Sequence, residues 1–545
     1  MDKSAKDWWK RAVIYQIYPK SFKDTNGDGL GDLPGIIQKL DYLADLGIDI
    51  IWLSPVYKSP QKDNGYDISD YEDINPHYGT MADMETLIAE AKKRGITIMM
   101  DLVLNHTSHE HPWFKEAQKG EDNPYYDYYI WRDGVPGTPP NEMKAAFGGS
   151  AWTYDEKVGK YYYNQFSPWQ PDLNWENPKV RAEIHKMIRF WADKGIGGFR
   201  LDVVDNFGKE PDNLIGADGP KLHDYLKELR KEAFIEDNMV TVGEAWSANV
   251  ENTPIYTNPD GSELSMMFPF EPFILNFNRD RKEFDGKWDL LPITLSEIKK
   301  CFADWQTELY GKGWVSLFME NHDFPRIISR WGNDKEYRAE SAKMLAVMMY
   351  GMRGTPCIYQ GQEIGMSNIR LPIESYDDIE TKDAYKSMIK AGISEDVALE
   401  SIYKSSRDNG RTPMQWSDAE FAGFSKVQPW LPVNPNYKEV NVEKEESDAG
   451  SILNFYKELL KVRKKYDVFT EGTFTLLDPA SDDTFIYTRE GGGEHVLVMC
   501  NFTDKNISID KPAKFADAEL LISNYNDIKE NELRPYEAKI LYYKD

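Results

Sequence analysis

Residues 48–103 decide the fold and read Ile48-Asp49-Ile50-Ile51-Trp52-Leu53, then a segment with helical spacing at residues 81–93, then Ile96-Thr97-Ile98-Met99-Met100-Asp101-Leu102-Val103. The two apolar segments are short and nearly continuous, which is typical of strands buried on both faces of a parallel sheet. The order of strand, helix and strand therefore predicts a parallel sheet covered by helices.

The same alternation extends over most of the chain and gives about eight strand–helix pairs. Strands are predicted at residues 12–18, 48–53, 96–103, 198–203, 239–244, 264–268, 314–319 and 356–359. Helices are predicted at residues 33–46, 81–93, 180–194, 222–233, 296–309, 339–352 and 452–462. Eight pairs are the number in an α/β fold of the (β/α)₈ TIM-barrel type. A doubly wound open sheet is the alternative, but the number of pairs and the lack of a Gly-rich phosphate turn disfavour it.

Two segments depart from this alternation. Residues 105–174 are rich in Tyr, Trp, Pro and Gly, and residues 467–545 contain only strand-like runs around a Gly491-Gly492-Gly493 turn. We therefore predict a barrel formed by residues 1–104 and 175–466, a subdomain inserted after the third strand at 105–174, and a C-terminal antiparallel β-sandwich domain at 467–545.

Composition excludes several classes of partner. Among 545 residues, 65 Lys and Arg against 91 Asp and Glu give a net charge of −26, which argues against nucleic acid and anionic membrane surfaces. No apolar stretch approaches the roughly 18 residues of a membrane span, and no secretory leader is visible. The three cysteines, Cys301, Cys357 and Cys500, are far apart in sequence. We therefore expect a cytoplasmic monomer without a disulfide framework.

Carboxylates follow several of the predicted strands, at the end of a barrel where active sites form. They lie in Asp101-Leu102-Val103-Leu104-Asn105-His106, in Arg200-Leu201-Asp202, in Gly243-Glu244-Ala245-Trp246 and in Glu320-Asn321-His322-Asp323. A single strand-end carboxylate is as often structural as functional, but several on one face indicate a site. Glycoside hydrolysis needs such a set, because one carboxyl protonates the leaving oxygen and a second attacks or activates water.

Two of these carboxylates are suited to different roles. Arg200 precedes Asp202 by two residues and lies on the same face of the strand, so its charge would keep Asp202 ionised, as a nucleophile requires. Glu244 would need a raised pKa to act as an acid, and neighbouring carboxylates could provide it.

These segments resemble the signature segments of the α-amylase superfamily of retaining glycoside hydrolases, and specifically its oligo-1,6-glucosidase and dextran-glucosidase branch. The four carboxylate segments occur in the family's order, and Gln170-Pro171-Asp172-Leu173-Asn174 resembles a fifth segment that marks the branch. The resemblance covers essentially the whole chain. It implies a (β/α)₈ barrel that hydrolyses α-glucosidic bonds of a small oligosaccharide.

The resemblance also implies roles for individual residues. Asp202 would be the nucleophile, Glu244 the acid/base and Asp323 the stabiliser of the transition state. The resemblance implies that Tyr66 stacks on the terminal glucose, and that His106, Arg200 and His322 contact the same sugar. It also implies that Asp67 and Arg411 bind the far hydroxyls of this glucose and so make the enzyme exo-acting. A surface salt bridge is the alternative interpretation of Asp67 and Arg411.

One position departs from the family pattern. Phe324 follows Asp323, where the family often has Gln, and this position is expected beside the subsites for the leaving group. The departure bears on acceptor preference rather than on the chemistry.

The segment Asp24-Thr25-Asn26-Gly27-Asp28-Gly29-Leu30-Gly31-Asp32 places oxygen donors at alternate positions. This spacing is typical of a calcium loop, although residue twelve is Gly35 and the loop is not an EF-hand. An Asx-rich surface turn is the alternative. Related glucosidases bind Ca²⁺ in a similar loop, so we expect structural Ca²⁺ held by Asp24, Asn26, Asp28, Asp32 and the Leu30 carbonyl. The spacing of His106, His109 and His111 fits no zinc motif.

The resemblance also relates the bond that is cleaved to the residue after the nucleophile. Val203 in this position accompanies α-1,6 preference in enzymes that resemble this branch, whereas Thr or Ala accompanies α-1,4. The nearest alternative is a trehalose-6-phosphate hydrolase, which often has Ala in place of Pro171. The sequence also leaves open an α-1,4-glucosidase, a sucrose isomerase and a non-catalytic transporter-associated barrel. A sucrose isomerase is expected to carry an Arg/Asp cluster where this chain has Arg326-Ile327-Ile328-Ser329-Arg330.

Overall fold

Eight parallel strands form the central sheet of this computed structural model, which describes residues 2–545. They are β1 Ile14–Ile17, β2 Ile50–Leu53, β3 Thr97–Leu102, β4 Gly198–Leu201, β5 Val240–Gly243, β6 Met266–Met267, β7 Ser316–Leu317 and β8 Thr355–Tyr359. Their order in the sheet is β6-β5-β4-β3-β2-β1-β8-β7. The amide of Met267 in β6 donates to the carbonyl of Trp314, two residues before β7, at 3.2 Å. The predicted TIM-barrel fold class is confirmed.

The helices of the barrel lie close to their predicted positions. Their bounds are Leu33–Gln38, Leu40–Leu46, Met81–Lys93, Pro178–Asp193, Leu222–Glu232, Leu295–Glu308, Arg338–Tyr350 and Ile452–Lys465. Thr80 and Thr294 begin two of them with capping boxes, which satisfy amides at the helix start. The helix predicted at residues 33–46 is divided at Lys39, whose φ of −106° and ψ of 6° interrupt the helical backbone.

Further helices lie outside the predicted alternation. The longest are Ile379–Lys390 and Glu395–Ser405, and they enclose a hydrophobic core of their own with Trp288, Tyr376 and Met388. Shorter helices are Pro112–Ala117, Thr253–Tyr256, Glu271–Ile274, Ile327–Arg330, Asp408–Arg411, Val442–Ser447 and Val468–Glu471. The helix pair after β8 was not expected from the sequence, because its apolar positions are few.

The inserted segment contains a small antiparallel sheet. Its strands, Trp131–Arg132, Lys160–Tyr163 and Trp152–Asp155, are neighbours in that order. Aromatic residues such as Trp152 and Tyr163 are buried at its centre. The Tyr and Trp content of this segment therefore forms a core, as expected for a large domain rich in aromatics.

The C-terminal segment forms an antiparallel sheet of five strands. In chain order they are β9 Thr473–Leu476, β10 Thr484–Gly491, β11 Glu494–Asn501, β12 Glu519–Ser523 and β13 Ala538–Lys544. Their order is β9-β10-β11-β13-β12, and Ile507–Ser508 pairs with Glu532–Leu533 in a second, two-stranded sheet. The predicted turn joins β10 to β11: Gly492 and Gly493 have φ values of 61° and 75°, which favour glycine.

Residue contacts divide the chain into two compact units. The first contains the residues up to Trp8, Ile51–Phe268 and Lys312–Trp314, and the second contains Trp9–Ile50, Pro269–Gly311 and Val315–Asp545. The three predicted domain boundaries follow the sequence pattern rather than these units, and they stay predictions. No helix among residues 2–545 is long and apolar enough to cross a membrane.

Candidate active site

Arg200 lies at the centre of an acidic cluster in the first unit. It belongs to β4, whose four residues are all buried, and register places it beside Asp101 of β3 and Val242 of β5. Its Nη1 donates to Asp101 Oδ1 at 2.7 Å and to Asp202 Oδ1 at 2.9 Å. The predicted contact between Arg200 and Asp202 is therefore present.

Glu244 is the third carboxylate of this cluster. It follows β5, and its Oε2 accepts a hydrogen bond from Nη2 of Arg200. Trp246, whose ring is partly exposed, donates from Nε1 to Glu244 Oε1 at 3.2 Å. Burial alone lowers the pKa of a guanidinium, but the neighbouring carboxylates, Asp101 above all, raise the pKa of Arg200 above its ordinary value. Arg200 is therefore a permanent cation shared by the carboxylates.

Strand β6 and the residue two positions before it pack tightly against Gly243, the last residue of β5 and the neighbour of Glu244. A Cβ atom on Gly243 would lie 2.3 Å from Sδ of Met267 and 2.7 Å from Cδ1 of Leu264. A larger residue before Glu244 would therefore have to displace these two side chains.

Tyr66 and His106 extend the same cluster. The Tyr66 hydroxyl donates to Asp101 Oδ2 at 3.1 Å, and Nε2 of His106 donates to the Tyr66 carbonyl at 3.0 Å. Burial lowers the pKa of His106 to about 4, so this imidazole is neutral near pH 7. Two predicted sugar-binding residues are thus brought to Arg200 and Asp101.

Asp67 is buried one residue after Tyr66. Its carboxylate accepts hydrogen bonds from Ser59 Oγ at 2.9 Å and from the amides of Lys62 and Asp63 at 3.0 and 3.1 Å. Burial raises its pKa, and the three donors oppose that rise. The side chain is therefore fixed by its own loop, and contact with a sugar hydroxyl stays a prediction.

Asp323 lies in the second unit and is surrounded by cations. Its Oδ1 accepts from Arg411 Nη2 at 3.0 Å and from Arg407 Nη1 at 3.2 Å. Nε2 of His322 lies 3.1 Å from Oδ2. Because Gln16 Nε2 lies 2.8 Å from Nδ1 of His322 and can only donate, we assign the proton of the neutral imidazole to Nε2, where it faces Asp323.

Arg407 is a member of this site that the sequence analysis missed. Its Nη2 and Nε lie 2.6 Å from Asp378 Oδ1 and 3.1 Å from Glu380 Oε2. Although burial raises the pKa of Asp378, the charges of Arg407 and Arg411 lower it well below the ordinary value. The available signal was the spacing of Arg407 and Arg411, four residues apart on one helical turn.

Gly410 brings this turn close to the segment that carries Asp323. A Cβ atom on Gly410 would lie 2.9 Å from the carbonyl oxygens of Asn321 and Phe324. A larger residue would push the turn away and lengthen the contacts of Arg407 and Arg411 with Asp323.

Phe324 does not line an open surface. It is 3 % exposed and packs against Phe270 at 5.8 Å between ring centroids, with Phe273 and Phe318 nearby. The aromatic ring that departs from the family pattern is therefore part of the core of the second unit.

The predicted calcium loop is held by hydrogen bonds of its own carboxylates. Asp24 accepts from the amides of Gly27 at 2.7 Å and Gly29 at 3.0 Å, and Asp32 caps the first barrel helix through the amide of Gly35 at 2.7 Å. Asp28 accepts from the amide of Leu30 at 2.8 Å. These oxygen donors are the type that Ca²⁺ prefers. Among residues 2–545, no group of three or more His, Cys, Asp or Glu side chains stands in a metal-holding arrangement.

The other two histidines near His106 have structural contacts. Nδ1 of His111 accepts from the amide of Trp113 at 3.1 Å and caps a short helix, and His109 lies 3.2 Å from the carbonyl of Trp169.

Residues 16–472 match the catalytic domain of α-amylase. The chain belongs to the α-amylase family. The predicted resemblance to this superfamily is confirmed, and the chain is a glycoside hydrolase of that family.

Relatives of this α-amylase family member cover nearly its whole length. It is 50 % identical to the oligo-1,6-glucosidase of Parageobacillus thermoglucosidasius, with 98 % of each chain covered. It is 49 % identical to the glucan 1,6-alpha-glucosidase of Streptococcus pneumoniae, with 97 % of this chain and 98 % of the relative covered. Among solved structures, trehalose-6-phosphate hydrolase of Bacillus licheniformis matches with a TM-score of 0.94 and 45 % identity, over 98 % of this chain and 99 % of the other.

Proposed function

We propose that this α-amylase family member is a retaining exo-α-glucosidase that hydrolyses α-1,6 bonds at the non-reducing end of isomalto-oligosaccharides and dextran fragments. The observation that carries the proposal is the pairing of Asp202 and Glu244 on one guanidinium, that of Arg200. Two carboxyls held this close suit a double displacement, in which one attacks carbon and the other transfers the proton. The two relatives named for 1,6-glucosidase activity support the linkage.

In the proposed mechanism Asp202 attacks the anomeric carbon while Glu244 gives its proton to the glycosidic oxygen. The glycosidic bond breaks, the shortened sugar leaves with that proton, and a covalent glucosyl–Asp202 ester remains. Glu244, now a carboxylate, takes a proton from water as the water oxygen attacks the same carbon. Free glucose and the original acid and carboxylate result. Asp323, held ionised by Arg407 and Arg411, stabilises the oxocarbenium-like transition state.

The proposed glucose-binding residues agree with their local contacts. Tyr66 and Arg200 belong to the hydrogen-bonded cluster of Asp101, and His322 and Arg411 contact Asp323. Tyr66, Asp67, His106, Arg200, His322 and Arg411 remain the residues proposed for glucose, and Val203 remains the residue proposed for linkage preference.

Two alternatives within the family are distinguished by charge and packing. A trehalose-6-phosphate hydrolase needs cations around a phosphate, and the net charge of −26 favours a neutral glucan. A sucrose isomerase was expected to carry an Arg/Asp cluster after Asp323. Here Arg326 is fully buried in an ion pair with Glu320 at 2.9 Å, and Arg330 contacts the carbonyl of Phe273.

Substrate comparison tests the proposal. Isomaltose, isomaltotriose, panose, maltose, sucrose and trehalose 6-phosphate are assayed in parallel, and kcat/KM is determined for each. We expect isomaltose and isomaltotriose to be the preferred substrates, with glucose released one unit at a time and first in its α-anomeric form, as retention requires. Preferential turnover of trehalose 6-phosphate, or first release of the β-anomer, contradicts the assignment.

We also propose that residues 24–32 bind a structural Ca²⁺ ion through Asp24, Asn26, Asp28, Asp32 and the Leu30 carbonyl. The support is the all-oxygen donor set, three of whose members are carboxylates. Metal analysis of the purified protein should give about one Ca²⁺ per chain, and chelation should lower the melting temperature by several degrees. Asp28→Asn should reduce both effects. Na⁺, Mg²⁺ or no metal in the analysis decides against calcium.

We further propose a monomeric, cytoplasmic protein. Cys301, Cys357 and Cys500 are all buried and unpaired in the structure, which suits a reducing compartment. Light scattering coupled to size exclusion should give the mass of one chain, about 63.0 kDa. A mass of twice this value contradicts the monomer.

A further inference from the structure

The residue after the proposed nucleophile has a strained backbone. Val203 has φ 37° and ψ 50°, in the left-handed region, which a β-branched residue rarely adopts. Such a conformation costs on the order of 1–3 kcal/mol and persists only where neighbouring contacts hold it. Strand β4 fixes the chain up to Leu201, and the amide of Asp202 donates to the Leu102 carbonyl at 3.0 Å, so the remaining restraint comes from the residues that follow Val203.

Two residues after Val203 are hydrogen-bonded to the segment that follows β5. The amide of Val204 donates to the carbonyl of Glu244 at 2.7 Å. Oδ2 of Asp205 accepts from both the amide and the hydroxyl of Ser247, at 3.1 and 2.7 Å. The segment after the nucleophile is thus bonded at two points to the segment that carries the acid/base.

Asp205 is placed to act only through other residues. Its side chain is 2 % exposed, so it offers no surface to a sugar. Its partner, Ser247, lies three residues after Glu244 and one after Trp246, which itself donates to Glu244. A change at Asp205 therefore reaches the reacting groups through the segments that carry Val203 and Glu244.

We propose that Asp205 is a positioning residue whose hydrogen bonds to Ser247 keep Val203 in its left-handed conformation and set Glu244 relative to Asp202. This assignment rests on the roles given to Asp202 and Glu244 under the proposed function. Protonation of the leaving oxygen needs Glu244 at hydrogen-bond distance from it, so a displaced Glu244 slows reactions in proportion to their need for a proton.

The test compares a sugar leaving group with fluoride. Isomaltose departs only when its oxygen is protonated, whereas α-glucosyl fluoride needs far less help from a general acid. For Asp205→Ala we expect kcat/KM on isomaltose to fall about 10- to 100-fold, as a misplaced group causes, and kcat/KM on α-glucosyl fluoride to fall less than about threefold. Ser247→Ala should change the same ratio in the same direction by a smaller factor, because the Ser247 amide still donates.

Linkage preference gives a second readout. If Val203 loses its conformation, the ratio of kcat/KM on isomaltose to that on maltose should fall in Asp205→Ala. A purely structural role predicts instead an equal loss on isomaltose, maltose and α-glucosyl fluoride, together with a lower melting temperature. That equal loss, or unchanged kinetics on all three, overturns the proposal.

Asp155→Asn is the matched control. Asp155 is also a buried aspartate that fixes a turn, through the amide of Lys157 at 2.8 Å and Nε2 of Gln118 at 2.6 Å, in the inserted segment. The Asp155→Asn variant should leave the ratio of kcat/KM on isomaltose to that on α-glucosyl fluoride unchanged. If Asp205→Ala does not fold, the isosteric Asp205→Asn and Ser247→Ala replace it, and both should lower the ratio of kcat/KM on isomaltose to that on α-glucosyl fluoride.

The outcome is independent of the proposed linkage. If the wild-type protein does not hydrolyse isomaltose, the α-1,6 assignment fails, and the glucoside that it does hydrolyse replaces isomaltose in the ratio with α-glucosyl fluoride. If isomaltose is hydrolysed and the ratio does not change in the variants, the positioning role of Asp205 fails alone.

Discussion

The two charged clusters of this chain are opposite in composition. Around Arg200, a single guanidinium contacts three carboxylates, those of Asp101, Asp202 and Glu244. Around Asp323, a single carboxylate contacts two guanidiniums and an imidazole, from Arg407, Arg411 and His322. The guanidinium of Arg200 is thus outnumbered by its carboxylates, whereas Asp323 is contacted by two guanidiniums, one of which, that of Arg407, is also paired with Asp378 and Glu380.

This difference matches the proposed chemistry of each cluster. An excess of carboxylates favours retention of one proton among them, which an acid catalyst needs before it can protonate a leaving oxygen. Two guanidiniums in direct contact keep the carboxylate of Asp323 ionised through the whole cycle, which suits a fixed charge that stabilises a developing cation. The same residue types thus give a proton donor in one cluster and a permanent anion in the other.

The largest expected effect follows from removing the proposed nucleophile. Asp202→Asn keeps the shape of the side chain but cannot form the glucosyl ester, so turnover of isomaltose should fall by about 10⁴-fold or more. Steady-state kinetics measure the loss, and mass spectrometry of the variant excludes deamidation back to Asp. Activity within about tenfold of wild type would rule out the double displacement. Asp155→Asn, outside both clusters, serves as the control.

The next effect comes from removing the cation of the first cluster. Arg200→Gln leaves Asp101, Asp202 and Glu244 without their shared charge, so their affinity for protons should rise. We expect kcat/KM on isomaltose to fall about 10²- to 10³-fold, and its acidic limb to move to higher pH. A pH–rate profile from pH 4 to 8 measures both. An acidic limb that stays in place would contradict the electrostatic role of Arg200.

A smaller effect is expected in the second cluster. Arg407→Gln removes one of three partners of Asp323, and Arg411 and His322 remain. Loss of one charge-assisted hydrogen bond corresponds to about a 10- to 100-fold fall in kcat/KM. Because Arg411 and His322 remain in contact with Asp323 and keep it ionised, the acidic limb should not move. A shift as large as that of Arg200→Gln would mean that the two clusters do not differ in role.

Much of the barrel was readable from the sequence, because buried parallel strands give nearly continuous apolar runs. The contact of Arg200 with Asp202 was readable too, because alternation along a strand places residues two apart on one face. Phe324 was harder, because the family pattern, which often has Gln at this position, gave only an expected place beside the leaving-group subsites, and that place stays a prediction. The packing of its ring on Phe270 depends on tertiary contacts alone.

Arg407 shows what sequence reasoning missed. Its partners, Asp378 and Asp323, are 29 and 84 residues away in the chain, and the helix that Asp378 caps was not predicted. Nor could the left-handed backbone of Val203 be foreseen, since a β-branched residue argues locally against it. Long-range ion pairs and strain held by tertiary contacts lie beyond pattern and spacing.

The smallest expected effect concerns Asp205, whose carboxylate is held by Ser247. Burial raises its pKa from the ordinary value of 3.8 to about 6, and nearby Asp218, whose Oδ1 accepts from the hydroxyl of Tyr256, adds to the rise. Between these pH values the folded protein binds a proton that the unfolded chain has lost. The stability contributed by this group is therefore full below about pH 4 and is lost as the pH rises through about 6.

Asp205→Asn removes this dependence, because an amide does not ionise. The melting temperature of the variant minus that of the wild type should therefore be higher at pH 7 than at pH 4, by on the order of 1–3 °C for a chain of this size. Comparing the same pair of proteins at two pH values cancels the altered hydrogen bond to Ser247, which is present at both. Calorimetry at pH 4, 5.5 and 7 measures the melting temperature of the variant minus that of the wild type. If this difference stays constant or falls as the pH rises, Asp205 does not lower the stability of the folded protein by ionising. Asp205→Asn could gain stability at pH 7 and also have a lower ratio of kcat/KM on isomaltose to that on α-glucosyl fluoride. These two results together would show that the charge of Asp205 positions the acid/base segment at the expense of stability.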